Sequence, residues 1–163
     1  MNKFSWYEAT SVNDALQHVN ATASDILGKP AGNPGVILKA GGVDLLDLMK
    51  EGLVNPSTIV SVKNIPGLDK ISFDEKTGLN LGANVTLADI ENNEVIKSKY
   101  LALHLAVAHA GTPQLRNSAT LGGNLAQRTR CWYFRSLEHE CFRKGSGICY
   151  AQKGENEFHA IMQ

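Results

Sequence analysis

Two short glycine-rich segments, far apart in the chain, carry the residues best suited to binding chemistry. The first is AGGVDLL at residues 40–46 and the second is SATLGGN at residues 118–124. Each presents two adjacent glycines beside small or hydroxyl-bearing residues, so its backbone N–H groups can approach a bulky anion closely. Either turn alone is more typical of a tight turn than of a ligand site. Together they predict one nucleotide cofactor that is held from both sides.

Three cysteines, Cys131, Cys141 and Cys149, form a second candidate cluster near the end of the sequence. An odd number argues against a complete set of intrachain disulfides. Their proximity indicates metal ligation or redox chemistry, and three thiols in an apolar core are an equally good interpretation. Nine residues separate the first pair and seven the second, so neither pair is the CxxC knuckle of a structural zinc site.

The composition excludes several classes of protein. The 163 residues suffice for one domain or two small lobes, and 43% of them are apolar. Sixteen basic and sixteen acidic residues balance, which argues against a broad nucleic-acid surface. No apolar run reaches membrane-spanning length, and MNKFSWYEAT lacks the apolar core of a signal peptide. We therefore expect a cytoplasmic location, or a periplasmic one if a partner carries the chain across.

The first third of the chain predicts the element that positions the first glycine turn. A strand over 4–7 precedes a helix over 12–19, and GKPAGNPG at 28–35 reads as a loop. A strand over 36–39 then enters the turn, and a helix over 44–50 leaves it. A strand, a glycine turn and a helix in this order aim the helix N-terminus at a phosphate. The GxGxxG fingerprint is absent, so a Rossmann fold is not predicted.

The remainder alternates strands and helices before it becomes irregular. The predicted elements are a strand at 58–62, a turn at 65–68, a hairpin of 70–73 and 79–82, a helix from Thr86 to Glu91, and a helix at 99–110. His104 falls on the apolar face of that last helix, which favours a core role. Residues 127–150 mix cations, aromatics, glycines and cysteines without a period, which predicts an irregular loop. The expected core is Phe4, Val12, Leu16, Val19, Ile37, Leu46, Ile59, Leu81, Leu101 and Leu105.

The glycine turns have a recognisable combination of residues. KAGGVDLL at 39–46, QLRN at 114–117 and SATLGGN at 118–124 resemble the FAD-binding medium subunits of molybdenum hydroxylases. That family includes xanthine dehydrogenase, carbon monoxide dehydrogenase and aldehyde oxidoreductases. The resemblance runs from FSWYEATSVNDAL to the end of the sequence. It implies an α+β, two-lobed FAD-binding domain of the molybdopterin dehydrogenase (PCMH) type, with lobes at 1–55 and 56–163 and the flavin cleft between them.

The resemblance also implies which residues contact the cofactor. The first turn would give backbone donors to the FAD diphosphate, and the second would add side-chain hydrogen bonds and a close backbone approach. A further residue would lie near the flavin. By position, these residues are Lys39, Ala40, Gly41, Gly42, Val43, Asp44 and Leu45, then Thr120, Gly122, Gly123 and Asn124, and finally Thr112. Val43 stands where the family often has threonine, so one hydroxyl contact is lost.

The segment RTRCWYFRSLEHECFRKGSGICY resembles an insertion that carries a [4Fe–4S] cluster in some members of this family. The likeness is closer to the aldehyde oxidoreductase type than to 4-hydroxybenzoyl-CoA reductase. It implies that Cys131, Cys141 and Cys149 are ligands and that the fourth ligand lies downstream of Gln163. The sequence is therefore interpreted as an N-terminal fragment, and His159 is assigned a packing role. Cations that would favour thiolates and offset the cluster charge are Arg128, Arg130, Arg135, Arg143 and Lys144.

The function implied by the resemblance is electron transfer. Electrons would pass from a molybdenum-cofactor large subunit through a [2Fe–2S] small subunit to FAD on this chain, and then to an acceptor. No residue of this chain is assigned a general acid or base role. Two alternatives stay open: a small cysteine-rich metal-binding or interaction module without flavin, and a flavoenzyme of the oxygen-dependent oxidase group. The last is least favoured, because the first glycine turn has no histidine to tether a flavin.

Overall fold

The computed structural model describes residues 3–19, 35–157 and 159, and it is an α+β fold. Its strands are β1 (Ser5–Glu8), β2 (Val36–Lys39), β3 (Thr58–Ser61), β4 (Ile71–Asp74) and β5 (Gly78–Leu81). Its helices are α1 (Val12–His18), α2 (Val43–Lys50), α3 (Leu87–Asn92), α4 (Glu94–Lys99), α5 (Leu101–Ala108), α6 (Pro113–Arg116), α7 (Leu121–Leu125) and α8 (Trp132–Arg135). Short 3-10 helices span Phe142–Lys144 and Tyr150–Gln152. The loop predicted at 28–35 lies outside the described residues, apart from Gly35.

A parallel three-stranded sheet positions the first glycine turn. The strand order is β1-β3-β2, with Ile59 of β3 opposite Trp6 on one side and Ile37 on the other. The predicted burial of Ile59 is confirmed at 1% exposure. The central strand β3 lies beyond the lobe boundary predicted at residue 55, and a boundary after Ser61 would keep the sheet whole. The division into two lobes stays a prediction.

Local capping residues account for two of the helix starts. Ser11 is the N-cap of α1, and its side chain accepts a hydrogen bond from the Asp14 backbone N–H. Thr86 is the N-cap of α3 and forms a capping box with Asp89. Its side chain accepts from the Asp89 N–H, and its own N–H donates to the Asp89 carboxylate. The predicted hairpin is also present, with β4 and β5 antiparallel. These features depend on neighbours a few residues apart, which is why the sequence pattern predicts them.

Three groups of buried apolar residues hold the elements together. One group joins α2 to residues 127–150, here called the cysteine segment. It contains Leu48, Leu53, Val54, Phe134 and Cys141. Another lies beneath α3, α4 and α5 and contains Val85, Leu87, Ile90, Ile96 and Val107. A third joins α1 to β3 and contains Ala9, Ala15, Val60 and Ile65. Of the predicted core, Val19, Ile37, Leu46 and Leu81 are half-buried.

Five predicted core residues are exposed, which corrects the expected buried faces. They are Phe4, Val12, Leu16, Leu101 and Leu105, with 38% to 58% of their surface accessible. In α1 the small Ala15 is the buried residue. The predicted helix at 99–110 corresponds to α5, which is shorter, and residue 99 belongs to the preceding helix α4. Leu103 and Val107 of α5 face the core. Because LALHLAVA is apolar on every side, its pattern could not identify the buried face.

Candidate cofactor site

The two glycine turns are in direct contact. A Cβ atom added to Gly41 would lie 2.0 Å from the carbonyl oxygen of Ser118 and 3.2 Å from the backbone nitrogen of Thr120. No side chain fits at that separation, so a glycine at residue 41 is what allows the turns to meet. The sequence prediction that two distant glycine turns form one site is consistent with this contact.

The first turn presents a helix N-terminus. Gly42 is the residue before α2 and adopts the left-handed conformation, with φ of 84°. The first N–H groups of any α-helix lack intrahelical partners and carry partial positive charge. Gly42 has no side chain that could cap them. These N–H groups are therefore candidate donors to an anion, which is the role that the strand–turn–helix order predicts.

A cavity of about 400 Å³ lies against both turns. Nine of the predicted cofactor residues line it: Lys39, Ala40, Gly42, Val43, Asp44, Leu45, Thr120, Gly123 and Asn124. Apolar side chains from β2 and α2 form much of the remaining wall. This size falls within the range of small-molecule and cofactor sites. An apolar wall beside a donor-rich turn suits a ligand that has both a flat ring and a charged group.

The second turn is braced against the loop that precedes α3. The Gly122 N–H donates to the Ala83 carbonyl at 2.8 Å, and the Leu121 N–H donates to the Val85 carbonyl at 2.8 Å. Thr120 begins α7, and its hydroxyl accepts from the Gly123 N–H at 3.2 Å. These backbone donors already have partners within the protein. The second turn therefore faces the cavity mainly through side chains.

Three predicted cofactor residues lie outside the cavity wall. Gly41 lies behind it, in contact with Ser118. Gly122 faces Ala83, since an added Cβ would lie 3.0 Å from the Ala83 carbonyl oxygen. Thr112 is exposed and caps α6, where its hydroxyl accepts from the Leu115 N–H at 3.3 Å. The two glycines thus serve packing, and Thr112 serves a local helix.

The α6 helix is fixed by an ion pair that the sequence analysis did not predict. Arg116 donates from Nε to Glu91 Oε2 at 2.7 Å and from Nη2 to Glu91 Oε1 at 3.1 Å. A third bond joins its Nη1 to the carbonyl of Gly111, which has a positive φ. The arginine side chain is 9% exposed. This two-pronged contact ties the segment before the second glycine turn to α3.

Lys39 lies across the first turn. An added Cβ at Gly42 would lie 2.5 Å from Lys39 Cε, so the lysine side chain covers this glycine. Its ammonium lies 3.3 Å from the Ala40 carbonyl oxygen and 5.5 Å from the centre of the Trp6 ring. Burial, together with repulsion from Lys63, lowers the pKa of Lys39 below its ordinary value. A neighbouring anion would relieve both effects.

Asp44, in the first turn of α2, is bound to the cysteine segment. Its carboxylate accepts from Arg135 Nη2 at 2.6 Å and from the Arg128 backbone N–H at 2.9 Å. Arg135 also donates to Glu51 at 3.2 Å. Burial disfavours the guanidinium charge, but the bonds to Asp44 and Glu51 leave the pKa of Arg135 above its ordinary value. Asp44 therefore has a structural role at the cavity, in addition to any contact with a ligand.

Sequence reasoning missed two arginines of the cavity wall. Arg128 and Arg130 line the cavity, although they had been assigned to the cysteines. Their proximity to α2 depends on contacts across more than eighty residues of sequence, such as Arg128 with Asp44. The only local signal was two arginines just after the second turn, within QRTR at 127–130.

The cysteines do not form a metal site in the described structure. Within residues 3–19, 35–157 and 159, no three His, Cys, Asp or Glu side chains are placed to hold a metal ion. Cys141 is buried at 7% exposure beside Phe134, and Cys131 packs against the same apolar group. The ring of His159 packs against Trp132 and Tyr133, in keeping with its assigned role.

Comparison with known proteins identifies the family. Residues 2–132 match the family described as the FAD binding domain in molybdopterin dehydrogenase. The chain belongs to this family. FAD is thus the cofactor of the domain type, and the resemblance inferred from the glycine turns is confirmed. The nine predicted residues that line the cavity are the candidate contacts for it.

Individual relatives agree with this assignment. The FAD-binding subunit PaoB of an aldehyde oxidoreductase from Escherichia coli K12 is 40% identical over 131 residues. That match covers 79% of this chain and 41% of PaoB. The FAD-binding subunit of xanthine dehydrogenase from Escherichia coli O157:H7 is 32% identical, over 68% of this chain and 38% of its own length. The chain thus spans about two fifths of the length of these relatives.

A solved structure shows the same fold. The match to quinoline 2-oxidoreductase from Pseudomonas putida 86 has a TM-score of 0.63 and 30% identity. It covers 77% of this chain and 40% of that one. Family and fold together favour the flavoprotein interpretation over the flavin-free module and the oxidase. Throughout the described residues, no helix has the length and apolar character needed to cross a membrane.

Proposed function

We propose that this chain is the FAD-binding part of an electron-transfer subunit in a molybdenum hydroxylase. Its partners in this proposal are a large subunit with the molybdenum cofactor and a small [2Fe–2S] subunit. Bound FAD supplies the redox chemistry that takes electrons from iron–sulfur centres and passes them to an acceptor. The relatives in this family include an FAD-binding subunit of aldehyde oxidoreductase and one of xanthine dehydrogenase.

The observation that carries the proposal is the cavity against the two touching glycine turns. The α2 N-terminus and Lys39 give this cavity positive charge, and small residues leave room for a close approach. The diphosphate of FAD needs convergent donors with little steric bulk around them. Thr120 and Asn124 line the same cavity and have side chains that can bond to phosphate or ribose oxygens.

The chain's own residues bind and orient the cofactor in this proposal. Backbone N–H groups after Gly42 and the Lys39 ammonium would hold the diphosphate, while apolar side chains of β2 and α2 would exclude water from its surroundings. Ala40, Val43, Asp44 and Leu45 remain proposed contacts at the first turn, and Gly123 remains one at the second. Gly41, Gly122 and Thr112 are proposed to shape the site from outside the cavity.

Titration of the purified chain with FAD, ADP and riboflavin tests this assignment. FAD and ADP should bind, and riboflavin, which lacks the diphosphate, should bind far more weakly. Ala126→Trp fills the cavity from an exposed position and should abolish FAD binding. Ala102→Trp adds the same ring at an exposed position on α5 and should leave FAD binding unchanged. A folded wild-type chain that binds neither FAD nor ADP would overturn the proposal.

We also propose Cys131, Cys141 and Cys149 as ligands of a [4Fe–4S] cluster. Their grouping near the end of the sequence and the packing of two of them in one apolar group support this. Iron and sulfide analysis after anaerobic reconstitution tests it, with Cys141→Ser as the variant that should lose iron. Unchanged iron content in that variant would refute the ligand set.

The cytoplasmic location stays a prediction, and so does export together with a partner. Fractionation of the source cells, followed by detection of the chain in each fraction, tests both. Recovery with the cytoplasmic fraction would support the former, and recovery with the periplasmic fraction would support the latter.

A further inference from the structure

The cysteine segment contributes positive charge to the cavity wall. Arg128 and Arg130 line the cavity beside the first turn of α2. Much of the rest of the wall is apolar or small, so these guanidinium groups are prominent charges near the entering anion. The diphosphate of FAD carries a negative charge on each phosphate, and arginine is well shaped for two-pronged contact with phosphate oxygens.

Arg130 is only loosely held by its two carboxylate neighbours. Its Nη1 lies 3.6 Å from Asp44 Oδ1 and 3.6 Å from Asp47 Oδ2, and the side chain is 58% exposed. Both distances exceed the usual range of a hydrogen bond. Exposed ion pairs of this kind contribute little to stability. The guanidinium can therefore exchange its carboxylate neighbours for a better partner at small cost.

Arg135 is held firmly and fixes the backbone next to these arginines. It donates to Asp44 at 2.6 Å with a side chain that is 10% exposed, and its Nε donates to the Thr129 carbonyl at 3.0 Å. The Arg128 N–H is bound to the same Asp44 carboxylate. Residues 128 and 129 are thus tied to the first turn of α2, which keeps Arg128 and Arg130 facing the cavity.

We infer that Arg130, with Arg128 beside it, is a further binding residue for the FAD diphosphate, and that Arg135 positions both. This inference rests on the proposed function. When the diphosphate enters, Arg130 leaves Asp44 and Asp47 and bonds to phosphate oxygens. The segment that carries the cysteines thereby becomes part of the flavin site.

Substitution of Arg130 tests the binding role directly. Arg130→Gln should weaken FAD binding about tenfold, as expected for the loss of one charge-assisted phosphate contact. It should also reduce the salt dependence of binding, and Arg130→Lys should recover part of the affinity. Arg143→Gln removes another exposed arginine of the same segment, outside the cavity wall, and should change neither the FAD affinity nor its salt dependence.

The outcomes separate this inference from the proposed function. If the wild-type chain binds FAD and Arg130→Gln binds it with equal affinity, the inference is overturned and the proposed function stands. If the folded wild-type chain does not bind FAD, both are overturned. A tenfold loss in Arg130→Gln but not in Arg143→Gln supports both.

Substitution of Asp47 provides a test in which FAD affinity is expected to rise instead of fall. Asp47→Asn removes one of the two carboxylates that Arg130 must leave, so FAD binding should tighten about threefold. In the Arg130→Gln background that gain should fall by at least half, because the exchange no longer takes place. An equal gain in both backgrounds would mean that Asp47 acts through general charge repulsion, and the exchange step would be wrong.

Arg135→Met tests the positioning role. The variant should bind FAD more weakly, and adding Arg130→Gln to it should cause little further loss, since Arg130 no longer faces the cavity. Additive losses would show that Arg135 contributes only to stability. Urea unfolding of each variant establishes that the comparison is made between folded proteins.

Discussion

At the first glycine turn, Gly42 begins α2 without a side-chain cap, whereas at the second turn the Thr120 hydroxyl caps α7. The residues that follow Gly42 line the cavity, whereas the N–H groups of Leu121 and Gly122 are bound to carbonyls of the neighbouring loop. Two turns with the same glycine signature thus use their backbones differently. The first leaves an uncapped helix N-terminus beside the cavity, and the second is held against the loop before α3.

Each turn has one glycine that allows a close contact with neighbouring backbone. Gly41 allows the first turn to rest on the Ser118 carbonyl, and Gly122 allows the second to rest on Ala83. A paired glycine motif in this protein therefore combines one residue for close packing with one that faces the cavity. Gly42 and Gly123 are the glycines in the cavity wall.

The largest effect is expected from Gly41→Ala, which would break the contact between the turns. The new Cβ would lie 2.0 Å from a backbone oxygen, so the turns must move apart. We expect a loss of about 3 kcal/mol in the free energy of unfolding, together with loss of FAD binding. Urea unfolding and FAD titration measure the two. Gly147→Ala is the control, because an added Cβ there meets nothing within 4 Å. Equal stability of both variants would contradict the described contact.

The next effect is expected from Asp44→Asn, which weakens the bond between the first turn and the cysteine segment. Arg135, 10% exposed, loses its shorter carboxylate partner, and the unfolding free energy should fall by about 2 kcal/mol. The buried Cys141 thiol should then react faster with a thiol reagent. Glu51→Gln removes the longer, more exposed partner and should cost less than about 1 kcal/mol. The prediction is wrong if the two variants label Cys141 at the same rate.

A comparison of Gly42→Ala with Gly122→Ala separates the two uses of the glycine backbone. Each should cost about 1 kcal/mol of stability, the first through its positive φ and the second through a tight contact with Ala83. Gly42→Ala also displaces Lys39 and should weaken FAD binding about fivefold. Gly122→Ala should leave FAD affinity within about twofold. Similar losses of affinity would mean that the second turn also binds the ligand through its backbone.

The sequence predicted the local parts of this fold well, because they depend on nearby residues. The strand at 36–39, the Thr86 cap and the hairpin each have their determinants within a few positions. The buried faces of α1 and α5 could not be predicted in the same way. In α5 apolar residues surround the helix, and in α1 it is the small Ala15 that is buried.

The candidate site was predictable only in part. Glycine pairs at 41–42 and 122–123 have a local signature, and the family resemblance carried by these turns named nine of the wall residues in advance. The contacts of Asp44 with Arg128 and Arg135 join residues 84 and 91 positions apart. No local pattern encodes such pairs, and the arginines had been assigned to the cysteines on proximity in sequence alone.

The smallest effect concerns Lys39, which gives the first turn a pH dependence that the second lacks. Burial and the nearby Lys63 cation lower the pKa of Lys39 below 10.5, so the unfolded chain binds more protons than the folded one in the window below that value. The stability of the free protein should therefore rise as pH increases through this window. ADP is the suitable probe, because it has the diphosphate without the ionisable flavin ring. A bound diphosphate stabilises the charged ammonium, so ADP affinity should fall over the same range.

Lys39→Met should remove both trends and weaken ADP binding at neutral pH about fivefold. Lys76→Met, at an exposed position in the hairpin turn, serves as the control and should keep both. A stability that rises with pH together with an ADP affinity that falls distinguishes a ligand-binding lysine from one that is only buried. Burial alone would make stability rise with pH and leave ADP affinity flat. A flat affinity profile in the wild-type chain would therefore remove Lys39 from the diphosphate site and leave the backbone of the first turn, with Arg128 and Arg130, to bind the anion.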